Sequence, residues 1–392
     1  MRDVVSNTRA TSTLQLLRLG RGSGYRAALE TRAVEDVLAC VLDDPRWDRQ
    51  VEERDDYYAS LLIRLDADIQ PIVEHIARLE ADDPRGWLPV GVLAQMAWRG
   101  HDAASAGLAL PLERAVPARE GWAGGEQGVV AALQKRLAHA SVPELIAVAQ
   151  EVVPLVPLVE LLLQRGVTAS EPALHAAVVA GGPRSRALAL RTLGKLGHAA
   201  YVDDAKAYLE QQKGREGTGD ELRSGFISYL AALPGESTLP LARAWFDREW
   251  PMSLAAERIL ALHATADDRG LLEAAGRAAL LSGDMYRLCA VLEGLGVIGD
   301  PASVPLLRQA YAEAPYSFAR RTALEAIRQH HLESVTEVLV ESLWDCETAS
   351  RILACEAVPL DSPGVPSRIR ELSEDALEDP GVRRAAAERQ AR

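Results

Sequence analysis

Leu193-Gly194-Lys195-Leu196-Gly197 and Leu295-Gly296-Val297-Ile298-Gly299 are two nearly identical stretches of this chain, and each is followed five residues later by a valine. They lie 102 residues apart, which is three steps of 34. Self-similarity at a fixed short period indicates stacked helical repeats. Glycine directly after the last apolar residue of a helix favours a left-handed turn. Each stretch therefore predicts the end of one helix, and we expect its glycines to serve turns and packing rather than function.

A second short motif predicts where the following helices begin. Serine or threonine at the residue before a helix can accept a bond from a free backbone N–H, and proline in the first turn loses no hydrogen bond. The motif places one of these residues, or glycine, before an apolar residue and a proline: Ser141-Val142-Pro143, Thr238-Leu239-Pro240, Ser303-Val304-Pro305 and Gly364-Val365-Pro366. Ser334-Val335-Thr336 is the same motif without proline.

Together the two motifs fix a register of helix pairs from residue 184 onward. The first helices of the pairs are predicted near 184–196, 220–232, 252–263, 284–297, 317–330 and 347–358. The second helices are predicted near 201–212, 237–249, 267–280, 303–313, 334–345 and 365–377. The composition agrees with helices, because alanine and leucine dominate and alternating apolar patterns are scarce.

Residues 290–307 (AVLEGLGVIGDPASVPLL) resemble a short HEAT repeat in their apolar, glycine, aspartate and proline positions. Asp379-Pro380-Gly381-Val382-Arg383 resembles the start of another. The units are shorter than many HEAT repeats, and they are more similar to the compact repeats of bacterial HEAT-like proteins, including those of the bilin-lyase type. The resemblance implies an all-α fold, an α–α superhelix or solenoid of stacked antiparallel helix pairs.

The sequence divides into three parts. We expect a loose tail over 1–12, diverged helical repeats over 13–128 and a regular repeat array over 129–392, within one continuous solenoid. In the diverged part, Asp43-Asp44-Pro45-Arg46-Trp47 and Asp82-Asp83-Pro84-Arg85-Gly86-Trp87 echo each other, and 100–128 is predicted as a loop-rich break. Leu158 to Gly182 resembles a single ankyrin unit, which we interpret as a helix pair of the array.

Composition narrows the classes of function. The formal net charge of −13 disfavours nucleic acid as a partner, because an acidic surface repels phosphates. No window is apolar enough to predict a membrane span, and no signal peptide is visible at the N-terminus. The four cysteines form no CxxC pair, so a disulfide framework is not expected. We expect a cytoplasmic protein.

No pattern in the sequence predicts catalysis, and we expect no catalytic residue, cofactor or metal. Gly20-Arg21-Gly22-Ser23-Gly24 follows no predicted strand and is interpreted as a flexible turn. His330-His331 with Cys346 and Cys355 match no zinc spacing. The run of charges from Asp43 to Asp56 is interpreted as a solvated face at a helix start.

Tryptophan and arginine at the ends of two second helices are the candidate partner-binding residues. Trp245, Arg248 and Trp250 end one such helix, and Trp344 ends another. Leu239, Ala242 and Phe246 take the core positions, which predicts an exposed Trp245 or Trp250. Exposed tryptophan beside arginine is typical of an interface hot spot. The leading hypothesis is a non-enzymatic scaffold that binds a basic protein partner on a concave surface; the oligomeric state stays open.

The resemblance also implies two enzymatic alternatives. Bilin lyases, which the repeats resemble, hold a tetrapyrrole on the same kind of scaffold. DNA-alkylation-repair glycosylases use related helical repeats, but their groove must neutralise phosphates, which the net charge of −13 disfavours.

Overall fold

The computed structural model describes residues 12–80, 83–113, 135–137, 139–151, 154–165, 167–215, 220–329 and 335–391. All regular secondary structure within these residues is helical. The chain forms two compact units. Unit 1 comprises Met1–Pro117, Ala279–Cys289 and Pro301–Arg392, and unit 2 comprises Ala118–Ala278 and Ala290–Asp300.

Unit 1 is built from helices at both ends of the chain. Its N-terminal α-helices are Thr13–Arg18, Gly22–Thr31, Val34–Leu42, Asp55–Arg64, Gln70–Ala77, Trp87–Trp98 and Asp102–Glu113, with a 3₁₀ turn at Pro84–Gly86. Its C-terminal α-helices are Val304–Glu313, Ser317–Gln329, Val335–Ser342, Thr348–Ala357, Val365–Glu374 and Pro380–Gln390.

Unit 2 contains the helices around the first glycine motif. They are Val142–Val148, Leu155–Gln164, Val167–Ala180, Pro183–Lys195, Val202–Gln211, Glu221–Ala232, Gly235–Trp245 and Met252–His263. The helices Arg269–Ser282 and Met285–Ile298 belong partly to each unit. Pro183–Lys195 packs on Glu221–Ala232, which in turn packs on Met252–His263, so the first helices of successive pairs contact each other.

The predicted helix register is confirmed across both units. The bounds of the six predicted first helices each lie within two residues of those of an observed helix. The second helices begin within two residues of their predicted starts, and their ends range from four residues before to two residues after the predicted ends. Gly197 and Gly299 both adopt left-handed backbone angles, with φ of +80° and +65°, as expected at the ends of these helices. The superhelix itself stays a prediction.

One predicted helix start is wrong. The helix Gly235–Trp245 begins before the Thr238-Leu239-Pro240 motif, so Pro240 lies inside it. The chain enters this helix from Pro234, whose carbonyl accepts bonds from the Ser237 amide and hydroxyl groups. The motif does start the helices at Val142, Val304 and Val365, each with proline in the first turn. Ser334, residues 1–11 of the predicted tail and residues 114–128 of the predicted break lie outside the described residues. Within the predicted break the structure has the helix Asp102–Glu113, so the expectation of loops is wrong there.

The glycine-rich stretch joins the two ends of the chain within unit 1, which corrects its interpretation as a flexible turn. Gly22 begins a helix, and a methyl group there would lie 1.9 Å from the Glu341 carbonyl oxygen. The Glu341 carboxylate accepts two bonds from Arg21 and one from the Ser23 hydroxyl group, at 2.7–2.8 Å. The Cys346 amide donates to the Gly20 carbonyl at 2.9 Å. Glycine is therefore needed here for close backbone packing.

The buried residues of unit 1 include a large cluster from its N-terminal helices. Tyr58, Leu61, Leu62 and Leu93 are among the fully buried side chains of this cluster. Burial of such side chains is the main stabilising contribution to the unit. Among the described helices, none combines the length and apolar character that crossing a membrane requires.

Candidate functional site

The tryptophans predicted to bind a partner in unit 2 make contacts within their own unit. Trp245 is only 4% exposed, so of the two tryptophans predicted as alternatives for an exposed position, Trp245 is not the exposed one. It is buried together with Phe246 at the end of the helix Gly235–Trp245. Trp250 is half-buried, with the Arg223 guanidinium 4.2 Å from its ring centroid. Arg248 is exposed. The aromatic surface expected around Arg248 is thus largely used inside the unit.

Trp344 lies in unit 1 beside a polar cavity of about 30 Å³. The guanidinium groups of Arg26 and Arg368 lie 5.3 and 5.2 Å from the centroid of its half-buried ring. The charged groups around the cavity are paired with each other, since Arg99 contacts Asp56 at 2.6 Å and Arg351 contacts Glu378 at 2.8 Å. A space of this size holds about one or two water molecules. We therefore interpret the cavity as a small gap in the packing of the unit rather than as a ligand site.

Two other tryptophans, Trp47 and Trp87, each follow an Asp-Pro-Arg sequence that is closed by the same aspartate–arginine contact. In both copies of the Asp-Pro-Arg sequence, the aspartate accepts the amide N–H of the arginine two residues later, at 3.1 Å for Asp44 and 2.9 Å for Asp83. The same aspartates accept bonds from the arginine side chains, at 2.7 and 2.5 Å. A charge-assisted bond of this kind rigidifies a short turn. The repeated turn therefore fixes the position of each tryptophan.

These turns place both tryptophans on one open groove of unit 1. The groove is wide and open to solvent, and it is lined by Arg46, Trp47, Asp48, Arg49, Gln50, Trp87 and Tyr286. Trp87 is 42% exposed and Tyr286 is 59% exposed. The Trp47 ring lies 4.9 Å from the Tyr286 and Tyr316 rings, measured between centroids. The groove thus offers aromatic surface on a supported base.

Glu52 holds the loop that carries Trp47 and Asp48. One carboxylate oxygen accepts the amide N–H groups of Trp47 and Asp48, at 2.7 and 3.2 Å. The other accepts the Arg54 guanidinium at 2.7 Å and the Ser317 amide N–H at 2.8 Å. Glu52 is 1% exposed and Arg54 is fully buried. This buried pair joins the groove loop to the C-terminal helices of unit 1.

The burial of Glu52 and Arg54 corrects the interpretation of this charge run as a solvated face. Burial alone would raise the pKa of Glu52, but the Arg54 charge and the bonds from the Ser317 and Asp48 amides outweigh it, so the pKa lies below its ordinary value. Glu52 is therefore ionised at neutral pH. Sequence position did place Asp55 and Asp56 correctly in the first turn of a helix.

Several charged groups lie at the rim of the groove, and one of them, the Asp48 carboxylate, lies beside the aromatic rings. Arg46 is paired with Asp44 in a buried, bidentate contact, and Arg49 lies 3.5 Å from the same carboxylate. Asp48 accepts the Tyr286 hydroxyl group. This bond, together with partial burial, raises the pKa of Tyr286 to about 12, so its hydroxyl group stays protonated. The groove therefore presents aromatic faces and the Asp48 carboxylate side by side.

The sequence contained a signal for this groove that we used only as evidence of repeats. An Asp-Pro-Arg sequence precedes both Trp47 and Trp87, and both tryptophans line the groove. Tyr286 carried no comparable signal, because it joins the groove only through folding of the chain. Neither the family models nor the curated proteins with which the sequence was compared gave a match.

Proposed function

We propose that this protein is a non-enzymatic helical-repeat scaffold that binds a segment of a basic protein partner in the groove formed by Trp47, Trp87 and Tyr286. The observation that carries the proposal is the exposure of Trp87 and Tyr286, beside the half-buried Trp47, around a groove whose base is held by buried ion pairs. Exposed aromatic side chains on a rigid support are the usual anchors of protein interfaces. We therefore propose this groove as the binding site in place of the predicted residues Trp245, Arg248, Trp250 and Trp344.

The charge of the partner follows from the chemistry of the groove. Aromatic faces attract lysine and arginine side chains within about 6 Å of the ring centroid. The Asp48 carboxylate beside them supplies a counter-charge, while Asp44 already neutralises much of the nearby arginine charge. The net charge of −13 would speed the approach of a basic partner. We propose that a lysine or arginine of the partner inserts between the tryptophan rings.

The proposal is tested with immobilised peptides that are basic, neutral or acidic at equal length. Wild-type protein should be retained best by basic peptides, and retention should fall as salt rises. Trp87→Ala and Trp47→Ala should weaken binding by about tenfold or more, since anchor tryptophans contribute about 2 kcal/mol or more. Trp98→Ala is the matched control, because Trp98 is 69% exposed at the other end of the same helix but does not line the groove.

Equal retention of all three peptide classes would contradict the charge of the proposed partner. Retention that survives both groove substitutions, or that falls equally in Trp98→Ala, would contradict the proposed site. Circular dichroism of each variant establishes that the helices are intact before binding is compared.

We propose that the helix pairs are short HEAT-like repeats of a superhelix, supported by the direct contacts between successive first helices in unit 2 and by the shared glycine turns. We also propose that the protein acts in the cytoplasm, in agreement with its free cysteines Cys40, Cys289, Cys346 and Cys355.

A further inference from the structure

Two histidines and a glutamate come together in unit 2, beside the first glycine motif. Glu171 and His175 lie one turn apart on the helix Val167–Ala180, and His198 follows Gly197 directly. The Glu171 Oε1 atom lies 3.7 Å from His175 Nε2 and 3.4 Å from His198 Nδ1. One ligand atom from each of the three residues lies within 4.8 Å of the others.

We propose that Glu171, His175 and His198 bind a divalent transition-metal ion, with zinc as the preferred ion. Two imidazoles and one carboxylate are a ligand set that zinc uses in open sites. A tetrahedral zinc ion with bonds of about 2.0–2.1 Å holds its ligand atoms about 3.3 Å apart. The two distances to the Glu171 oxygen are close to this spacing and are long for direct hydrogen bonds.

Neighbouring tyrosines orient the proposed ligands. The Tyr201 hydroxyl group lies 2.7 Å from His175 Nδ1, which leaves Nε2 of the same ring to face Glu171. The fully buried Tyr229 donates to the His198 carbonyl at 2.8 Å and accepts the Tyr201 amide N–H at 3.0 Å. A hydrogen bond on the far nitrogen of a histidine fixes its ring and tautomer for metal binding. The hydrogen bonds of Tyr201 and Tyr229 thus hold the two histidines of the site in place.

The first glycine motif builds the turn on which His198 sits. A methyl group at Gly194 would lie 2.7 Å from the Tyr229 carbonyl oxygen, so this glycine lets the helix carrying Tyr229 approach. Gly197, with φ of +80°, then reverses the chain directly before His198. We expected these glycines to have no functional role; they remain turn and packing residues, but they position the proposed ligand.

The second glycine motif shows what the repeat requires at this position. Gly299 makes the same left-handed turn, and the next residue is Asp300, which pairs with Arg269 at 2.6 Å. The turn therefore forms without histidine, and His198 is a departure from the other copy of the repeat. The second copy joins the same two elements through the ion pair between Asp300 and Arg269, and the first copy differs in bringing a second imidazole, that of His175, to the contact between His198 and Glu171.

The proposed site is open on one side. The side chains of Glu171, His175 and His198 are 36%, 32% and 26% exposed, so solvent reaches the cluster. Three protein ligands leave a coordination position for water or for an oxygen atom of a bound molecule. The sequence signal was a glutamate and a histidine four residues apart on a predicted helix, a spacing that places both on one face.

The test is titration of the full-length, metal-free protein with Zn²⁺, with a chelator as competitor. We expect one zinc ion per chain at this site, and Co²⁺ in its place should give visible absorption bands of a four- or five-coordinate ion. His198→Asn and Glu171→Gln should each weaken zinc affinity by about 100-fold or more, and Tyr201→Phe by about tenfold or more. His139→Ala is the control, because His139 is exposed in the same unit and outside the cluster.

Two results would overturn the metal site. One is the absence of stoichiometric zinc binding by wild-type protein. The other is zinc affinity that is unchanged in both His198→Asn and Glu171→Gln when circular dichroism shows that these variants are folded, since the zinc would then lie elsewhere.

Discussion

The buried pair of Glu52 and Arg54 gives the sharpest prediction for stability. Glu52→Gln keeps the shape of the side chain but removes its charge. The carboxylate accepts four N–H groups in the wild-type protein, two on each oxygen. An amide can accept bonds on one oxygen only, and its NH₂ group would face two of these donors. The fully buried Arg54 guanidinium would also lose its counter-ion.

The expected cost follows from the charge that is left behind. Removing one partner of a buried ion pair destabilises a protein by about 3–5 kcal/mol. The unpaired N–H groups are part of the same loss, because neighbouring contacts are not additive. We therefore expect Glu52→Gln to lower the free energy of unfolding of unit 1 by about 3–5 kcal/mol.

Urea unfolding, followed by circular dichroism and tryptophan fluorescence, measures this change. The matched control is Glu74→Gln, which removes the same charge from an exposed pair with Arg78 on a helix of the same unit. The control should change the free energy of unfolding by no more than about 0.5 kcal/mol. If Glu52→Gln changes the free energy of unfolding no more than the control does, the Glu52 carboxylate does not hold the groove loop, and Trp47 is not held in place by it.

Three further predictions concern pH, packing and register. Folding lowers the pKa of Glu52, so the ionised carboxylate contributes its full stabilisation above the ordinary pKa of 4.5 and loses it as the pH falls through the pKa of the folded state. The difference in unfolding free energy between wild type and Glu52→Gln should therefore become smaller as the pH is lowered. Gly22→Ala should destabilise unit 1 by about 1–3 kcal/mol in urea unfolding, whereas Gly270→Ala, on an open helix surface, should be neutral or stabilising; equal effects would argue against the contact with Glu341. Leu295→Asp should cost several kcal/mol, because Leu295 is fully buried, and an unchanged melting temperature would refute the helix register.

Local chemistry made the helix boundaries predictable. Gly197 and Gly299 end their helices through backbone angles that glycine adopts easily, and Val304 and Val365 start theirs one residue before a proline. These signals act over one or two turns, so the sequence alone carries them. Thr238 shows the limit of these signals, because its helix already begins three residues earlier, at Gly235.

The candidate site depended on contacts that sequence position cannot reveal. Glu52 accepts the amide of Ser317, which is 265 residues away, and this contact changes a presumed solvated charge into a buried one. Trp245 is also buried, although the sequence pattern had assigned the neighbouring core position to Phe246. In both cases tertiary packing decides which side chain is buried, and local pattern does not.

The proposed binding groove is tested most directly by the dissociation constant of one basic peptide, measured with wild type, Trp87→Ala and Trp98→Ala. We predict that Trp87→Ala binds at least about tenfold more weakly than wild type and that Trp98→Ala binds as wild type does. Equal dissociation constants for all three proteins would contradict the assignment of partner binding to this groove.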